Sequence, residues 1–192
     1  MSLAYDVRAN LLLLVDLLNS APHVTGPDDG LASVEQLTEF VTQHGFTGPL
    51  GATPHDVAVA AGLRERFTVA LANDVEPVVA AINLTFSEIR AFPRLASHGD
   101  WGWHMHATAD SAPLGERMAS DLVFALTDLI RFGDLPRLRS CAAEDCTAAL
   151  ADLTRNQSKR FCDARNCANR THIAAYRARR NRGVNAEQQR RV

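Results

Sequence analysis

The sequence predicts a mainly helical N-terminal domain with one small β-hairpin, followed by a small module in which a β-hairpin and a helix are tied together by cysteines. Three observations carry this reading. Apolar residues recur at three- and four-residue spacings through most of the first 130 positions, all four cysteines lie beyond residue 140, and the charge changes sign between the two regions. Residues 1–130 hold 6 Arg or Lys against 16 Asp or Glu, a net of −10, whereas residues 131–192 hold 14 against 6, a net of +8. The overall charge of −2 is therefore the sum of two opposed regions. We place the boundary at Asp134: a body over 1–133, a module over 134–183 and a basic tail over 184–192. A chain of 192 residues with 46% hydrophobic content can bury one good core plus a small appendage, and it is too apolar for sustained disorder.

Within the body, residues 5–19 set Val7, Leu11, Leu14 and Leu18 on one helical stripe, ended by Asn19, Ser20 and Pro22. Asp16 and Asn19 read equally as a polar pair in a pocket or as part of the exposed face. Ser33, three residues before Gln36, forms a capping-box pattern opening a helix that closes at Gly45. Thr53 as cap, Pro54 in the first helical position and Asp56 in the first turn open the next helix. Its Val57, Ala60, Ala61, Leu63, Phe67, Val69 and Leu71 are expected to face a core. Residues 74–89 form another helix, with Pro77 tolerated in the first turn. Over 93–109, Trp101, Trp103 and Met105 alternate with Gly102, His104 and His106 after the turn signal of residues 97–100, which predicts a hairpin. The tryptophans are expected in the core, and His98, His104 and His106 on a solvated or hydrogen-bonded face rather than on a metal. A last body helix over 114–132 turns Leu114, Met118, Leu122, Ala125, Leu126 and Leu129 inward and ends at Gly133.

The longest apolar run, residues 11–18, is too short to span a bilayer and is broken by Asp16. The segment before it carries Asp6 and one Arg8, unlike a secretion signal, so we expect a cytoplasmic protein with no membrane partner. In a reducing compartment, four cysteines are a candidate metal site rather than a disulfide framework.

They are spaced Cys141-x4-Cys146-x15-Cys162-x4-Cys167. Two close pairs separated in this way suit one tetrahedral zinc, and four thiolates leave no open position, so the ion is expected to be structural. The module's few large apolar residues cannot offset its chain entropy unaided; zinc supplies folding free energy. Residues 147–152 and 158–161 are expected to pair as strands around the turn 153–157. After Cys167 comes a cationic helix, with Ile173 and Tyr176 expected to face the metal knuckle and Arg170, Arg177 and Arg180 to face solvent. Knuckle, hairpin and a helix carrying the last ligand make a treble-clef-like zinc finger.

Cys141 and Cys146, then Asp152, Arg155-Asn156, Arg160-Phe161-Cys162, Cys167-Ala168-Asn169-Arg170 and residues 176–180 (YRARR) together resemble the CGNR zinc finger of bacterial stress-induced transcription regulators. The preceding body resembles the ABATE domain that accompanies this finger, through residues 14–19 (LVDLLN) and Leu63-Arg64-Glu65. One departure is Ala168, where the family name has glycine. Such a change is mild if the glycine serves packing and disruptive if it needs a positive φ.

The resemblance implies a DNA-binding regulator whose body senses a small-molecule or protein ligand; many regulators dimerise, which makes a homodimer one candidate assembly. Four thiolates on zinc lower the module's charge only from +8 to about +6. Candidate nucleic-acid contacts are Arg155, Lys159 and Arg160 on the hairpin and Asn169, Arg170, Arg177, Arg179 and Arg180 on the helix, with Asn169 and Arg170 as base readers. Alternatives are RNA binding and a zinc-stabilised protein-interaction module without DNA binding, and a further one docks the acidic body on the cationic helix as an autoinhibitor. No P-loop, dinucleotide fingerprint, nucleophile elbow or His-Glu-x-x-His motif is present, so no enzymatic activity is expected.

Overall fold

The computed structural model describes residues 3–97 and 102–189, with side chains through residue 180. The body comprises α1 (Tyr5–Asn19), α2 (Val34–Gln43), α3 (Pro54–Phe67), α4 (Val75–Glu88), β1 (Arg94–Ser97), β2 (Trp103–His106) and α5 (Leu114–Arg131). β3 (Leu138–Ser140), β4 (Ala149–Ala151) and α6 (Cys167–Gln189) follow. Among the described residues, no helix is long and apolar enough to cross a membrane.

α5 is the central element, packed by α1, α3 and α4. All six of its expected inward residues are buried, and it ends on Gly133 at φ +70°, with the Asp134 amide donating to the Leu129 carbonyl at 2.7 Å. α1 buries Leu13, Val15 and Leu17 beyond its expected stripe because it lies between α5 and the distant strand β4.

The expected capping box at Ser33 forms, and the expected cap Thr53 makes a second one. Ser33 and Gln36 exchange their hydrogen bonds at 3.0 and 3.3 Å, and Thr53 pairs with Asp56 in the same way. Asp56 also reaches across the core to accept the Gly115 amide at 2.7 Å, joining the starts of α3 and α5. Gly115 is required there: a β-carbon would lie 2.9 Å from Val59. α3 is shorter than its apolar pattern suggests. From Thr68 to Ala72 the chain tightens into a 3-10 helix, which turns Ala70 inward, while Val69 and Ala61 are exposed.

The hairpin has its expected strands, with Leu95 opposite Met105 and Ser97 opposite Trp103. Its orientation is the reverse of the expected one. Trp103 is 76% exposed, with Leu95 and Phe92 also in solvent, while His104 and His106 are half-buried over the body. The inner face is anchored through polar groups: Ser120 accepts the Ala107 amide, and Arg94 bonds Asp110 and the Thr108 carbonyl. His98, Trp101 and the expected turn lie outside the described residues.

The second hairpin also differs from expectation. β4 pairs with β3, Leu138 opposite Ala151 and Ser140 opposite Ala149, and residues 158–161 form no strand. Their backbone is taken by other partners. The Lys159 amide donates to the buried Asp152 carboxylate at 2.8 Å, and the Arg160 carbonyl accepts from Ala142 at 2.8 Å. β4 is buried on both faces: Ala149 and Ala151 join the body's core, while Leu150 packs with the cysteines. The body's grip on this strand is Asn19, whose side-chain amide donates to the Ala149 carbonyl at 3.1 Å and accepts the Ala149 amide at 2.7 Å. Asn19 is thus buried against the module, whereas Asp16 is exposed beside His44 at 3.3 Å.

Candidate metal centre and nucleic-acid interface

The β3–β4 connection presents Cys141 and Cys146, the loop after β4 brings Cys162, and the first turn of α6 supplies Cys167. All four are buried and unpaired by disulfides, and their Sγ atoms lie within 4.8 Å of one another. Cys162 Sγ is 3.7 Å from Cys146 Sγ and 3.6 Å from Cys167 Sγ. A tetrahedral zinc with sulfurs at about 2.3 Å sets them about 3.8 Å apart, so the cluster fits the ion. The four residues form one structural zinc site, closed to substrate because the protein supplies the whole shell.

The surroundings act on the thiols in opposed directions. The Cys162 amide points at Cys141 Sγ at 3.4 Å, and Arg170 Nη2 lies 3.3 Å from Cys167 Sγ. Burial pushes the Cys162 thiol up to about 12. Burial acts on Cys167 in the same sense, but the Arg170 guanidinium and the neighbouring thiols outweigh it and bring that thiol down to about 7. Loading zinc therefore displaces protons.

Arg170 also forks onto the Asp145 carboxylate beside Cys146, and Arg165 donates to the Asp145 carbonyl, so two arginines clamp one knuckle to the other. The spacing of Arg170 from Cys167, one helical turn, was the available signal for this role. Asp152 is the hub of the intervening loop. It is fully buried, and burial raises its carboxyl, yet hydrogen bonds from Thr154 and Lys159 with the nearby Arg139 charge outweigh this and hold it below the usual carboxylate range.

Ala168 sits in ordinary helix, and the left-handed residue is the preceding Asn166 at φ +51°, a conformation asparagine tolerates. Alanine therefore fits position 168 without strain. Asn169 donates to the Asn166 side chain at 2.8 Å.

The expected inward stripe of α6 does not form. Ile173 and Tyr176 are 50% and 59% exposed, because the helix leaves the module after its first turn and residues 172–180 meet solvent on every face. The zinc cluster is covered instead by Ala143, Ala148, Leu150, Phe161 and Val24 of the body. Among the described residues, Arg155, Arg160, Arg177, Arg179 and Arg180 make no ion pair, Arg160 stacks over Phe161, and Lys159 pairs with Asp163. Among the described residues, no ion pair joins α6 to the acidic body.

A helical body grafted by a shared strand to a closed four-cysteine finger defines a two-part zinc-finger protein. The chain belongs to the ABATE family, described as putative stress-induced transcription regulators, whose profile matches residues 12–130, and the CGNR zinc finger profile matches residues 137–180. A search of curated proteins finds no match. The residues that carried the ABATE resemblance have structural work: Asn19 holds β4, and Arg64 forks onto Asp29 at 2.7 and 2.6 Å while donating to Ser20 at 3.0 Å, pinning the 20–30 loop.

Proposed function

We propose that the chain is a non-enzymatic transcription regulator that binds duplex DNA through α6 and the adjoining loop of its zinc finger. The observation that supports this best is the set of exposed guanidinium groups that make no ion pair among the described residues, Arg177, Arg179 and Arg180 on α6 and Arg155 and Arg160 on the loop before it. Arginine forks suit phosphate and guanine alike. Lys159 adds charge at the loop. Arg170, tied to Asp145 and Cys167, and Asn169, bonded to Asn166, meet DNA only at the start of the helix and in fixed orientations. The zinc cluster fixes the angle at which α6 leaves the module, and the body supplies the input.

A second reading is single-stranded RNA, favoured by one observation: the exposed Tyr176 beside Arg177 offers a stacking surface. Equilibrium binding of the full zinc-loaded chain to a duplex DNA and to single-stranded RNA of the same sequence separates the two. DNA recognition predicts tighter, salt-sensitive binding to the duplex that survives Tyr176→Ala. Preference for RNA, lost in that variant, overturns it.

A further inference from the structure

The body holds a cavity of about 430 Å³ between the start of α1, the loop at residues 44–48, the inner face of the hairpin and the middle of α5. Its size falls within the range of about 300–1,000 Å³ over which proteins enclose small organic molecules. Its walls are fastened by bonds within the body. Arg117 on α5 donates to the Thr47 and Pro49 carbonyls of the loop and to the Ala112 carbonyl. A β-carbon at Gly48, where φ is +77°, would come within 3.2 Å of that guanidinium. Toward the hairpin, His104 and His106 are hydrogen-bonded to each other at 2.9 Å and close that side.

Three polar side chains on the helices are left over. Asp6 and Asn10, one turn apart on α1, and Asp121, one turn beyond Arg117 on α5, line the cavity. Among the described residues, their side chains take part in no hydrogen bond or ion pair. Polar groups in a partly buried wall are costly unless a ligand or water meets them. Burial, reinforced by the Asp6 charge and opposed by Arg117, pushes the Asp121 carboxyl up to about 7, so Asp121 feels Asp6 across the cavity. Phe46, packed against the body's core, supplies an apolar wall to the same space.

The class of occupant follows from what each kind of ligand needs. An anion would meet Asp6 and Asp121 while Arg117 is turned to the loop carbonyls. A bare metal ion needs three or more ligand atoms on one point, and among the described residues the four cysteines are the His, Cys, Asp or Glu set that converges so closely. A protonated primary amine fits better. Its three N–H donors match the acceptors of Asp6, Asn10 and Asp121. With Arg117 set against one carboxylate and Asp110 paired to Arg94, ionised Asp6 and Asp121 leave one negative charge, which a monocation balances.

We propose that this cavity binds a small organic ammonium ion, a protonated primary amine with an aliphatic or aromatic body, its nitrogen held by Asp6, Asn10 and Asp121 and its body against Phe46. This deepens the reading of the body as the input of a regulator and rests on that reading only for the consequence of binding. The binding itself is measured without DNA, so failure of either leaves the other standing.

The test titrates the full zinc-loaded chain calorimetrically with butylammonium and phenethylammonium chlorides, and with phenethyl alcohol as the neutral isostere. One equivalent of amine binds, the alcohol binds at least about tenfold more weakly, and Asp6→Asn and Asp121→Asn each lower the amine affinity about tenfold, as loss of one hydrogen bond to a charged group does. Asp28→Asn, which neutralises an exposed carboxylate outside the cavity, leaves the affinity unchanged. Zinc content and helical signal of the variants stay at wild-type values, because asparagine keeps the shape of the carboxyl. No saturable binding of either amine at millimolar concentration, an alcohol that binds as tightly as the amine, or an affinity that the paired Asp6→Asn, Asp121→Asn variant leaves unchanged overturns the proposal.

Discussion

Replacing Asn19 by alanine tests the claim that the finger is folded onto the body rather than tethered to it. Ala149 stands opposite Ser140, and its amide and carbonyl are turned away from β3 toward α1, where Asn19 meets both, as a neighbouring strand would. Ala149 is 2% exposed, so water cannot replace the lost partner. Each buried, unsatisfied backbone group costs about 1–3 kcal/mol, and two give about 3 kcal/mol near the low end of that range. For a chain of this size, that lowers the melting temperature by about 6–12 °C. Thermal unfolding of the zinc-loaded chain, with hydrogen exchange read at the Ala149 amide, measures both consequences. Ionised, Asn19→Asp keeps an acceptor for the Ala149 amide but loses the donor to its carbonyl and buries a charge; where its carboxyl is protonated the O–H restores a donor and the variant falls between wild type and alanine. A change below about 0.5 kcal/mol, with Ala149 protection intact, refutes the coupling.

Further predictions concern other joints. Cys162→Ser removes one zinc ligand: metal analysis should show loss of the bound zinc, with residues 138–167 losing amide protection while the body keeps its helical signal. Asp56→Ala removes a helix cap and strands the buried Gly115 amide, a loss of about 2–4 kcal/mol measurable by urea unfolding. Asp121→Asn should stabilise the chain at alkaline pH. The folded carboxyl titrates about 7, above its ordinary 3.8, so between those values the unfolded chain ionises first and wild-type stability falls as pH rises. The neutral amide escapes this penalty, giving a gain of at most about 4 kcal/mol at pH 8 that disappears toward pH 4, read from melting curves across that range.

Elements governed by neighbours in sequence were legible. Ser33 and Thr53 announce their helices because a cap is satisfied within three residues, and the α5 stripe is legible because one face of one helix lines the core. The finger's ligand set was legible for the same reason, since two short loops fix it. What escaped was decided by distant partners. Either face of a two-stranded ribbon can turn inward, and the polar tether at Ser120 and Arg94 turned the histidines in and Trp103 out. The seating of β4 on the body depends on Asn19, 130 positions from Ala149. Ile173 and Tyr176 have a helical spacing that reads as a buried face, but spacing cannot report that no neighbour reaches that far along α6. The start of α6 suggests Arg170 as a base reader, and the fold also gives it a place in the knuckle through its reach to Asp145 and Cys167.

The central claim, that α6 docks on duplex DNA through its exposed arginines, is tested most directly by the salt dependence of duplex binding for the zinc-loaded full chain and its Arg177→Ala, Arg180→Ala variant. Each lost phosphate contact flattens the plot of log affinity against log salt by about 0.9, so two contacts predict a slope smaller by about 1.8. Identical slopes and affinities for the two proteins, or duplex binding indifferent to salt, would contradict it.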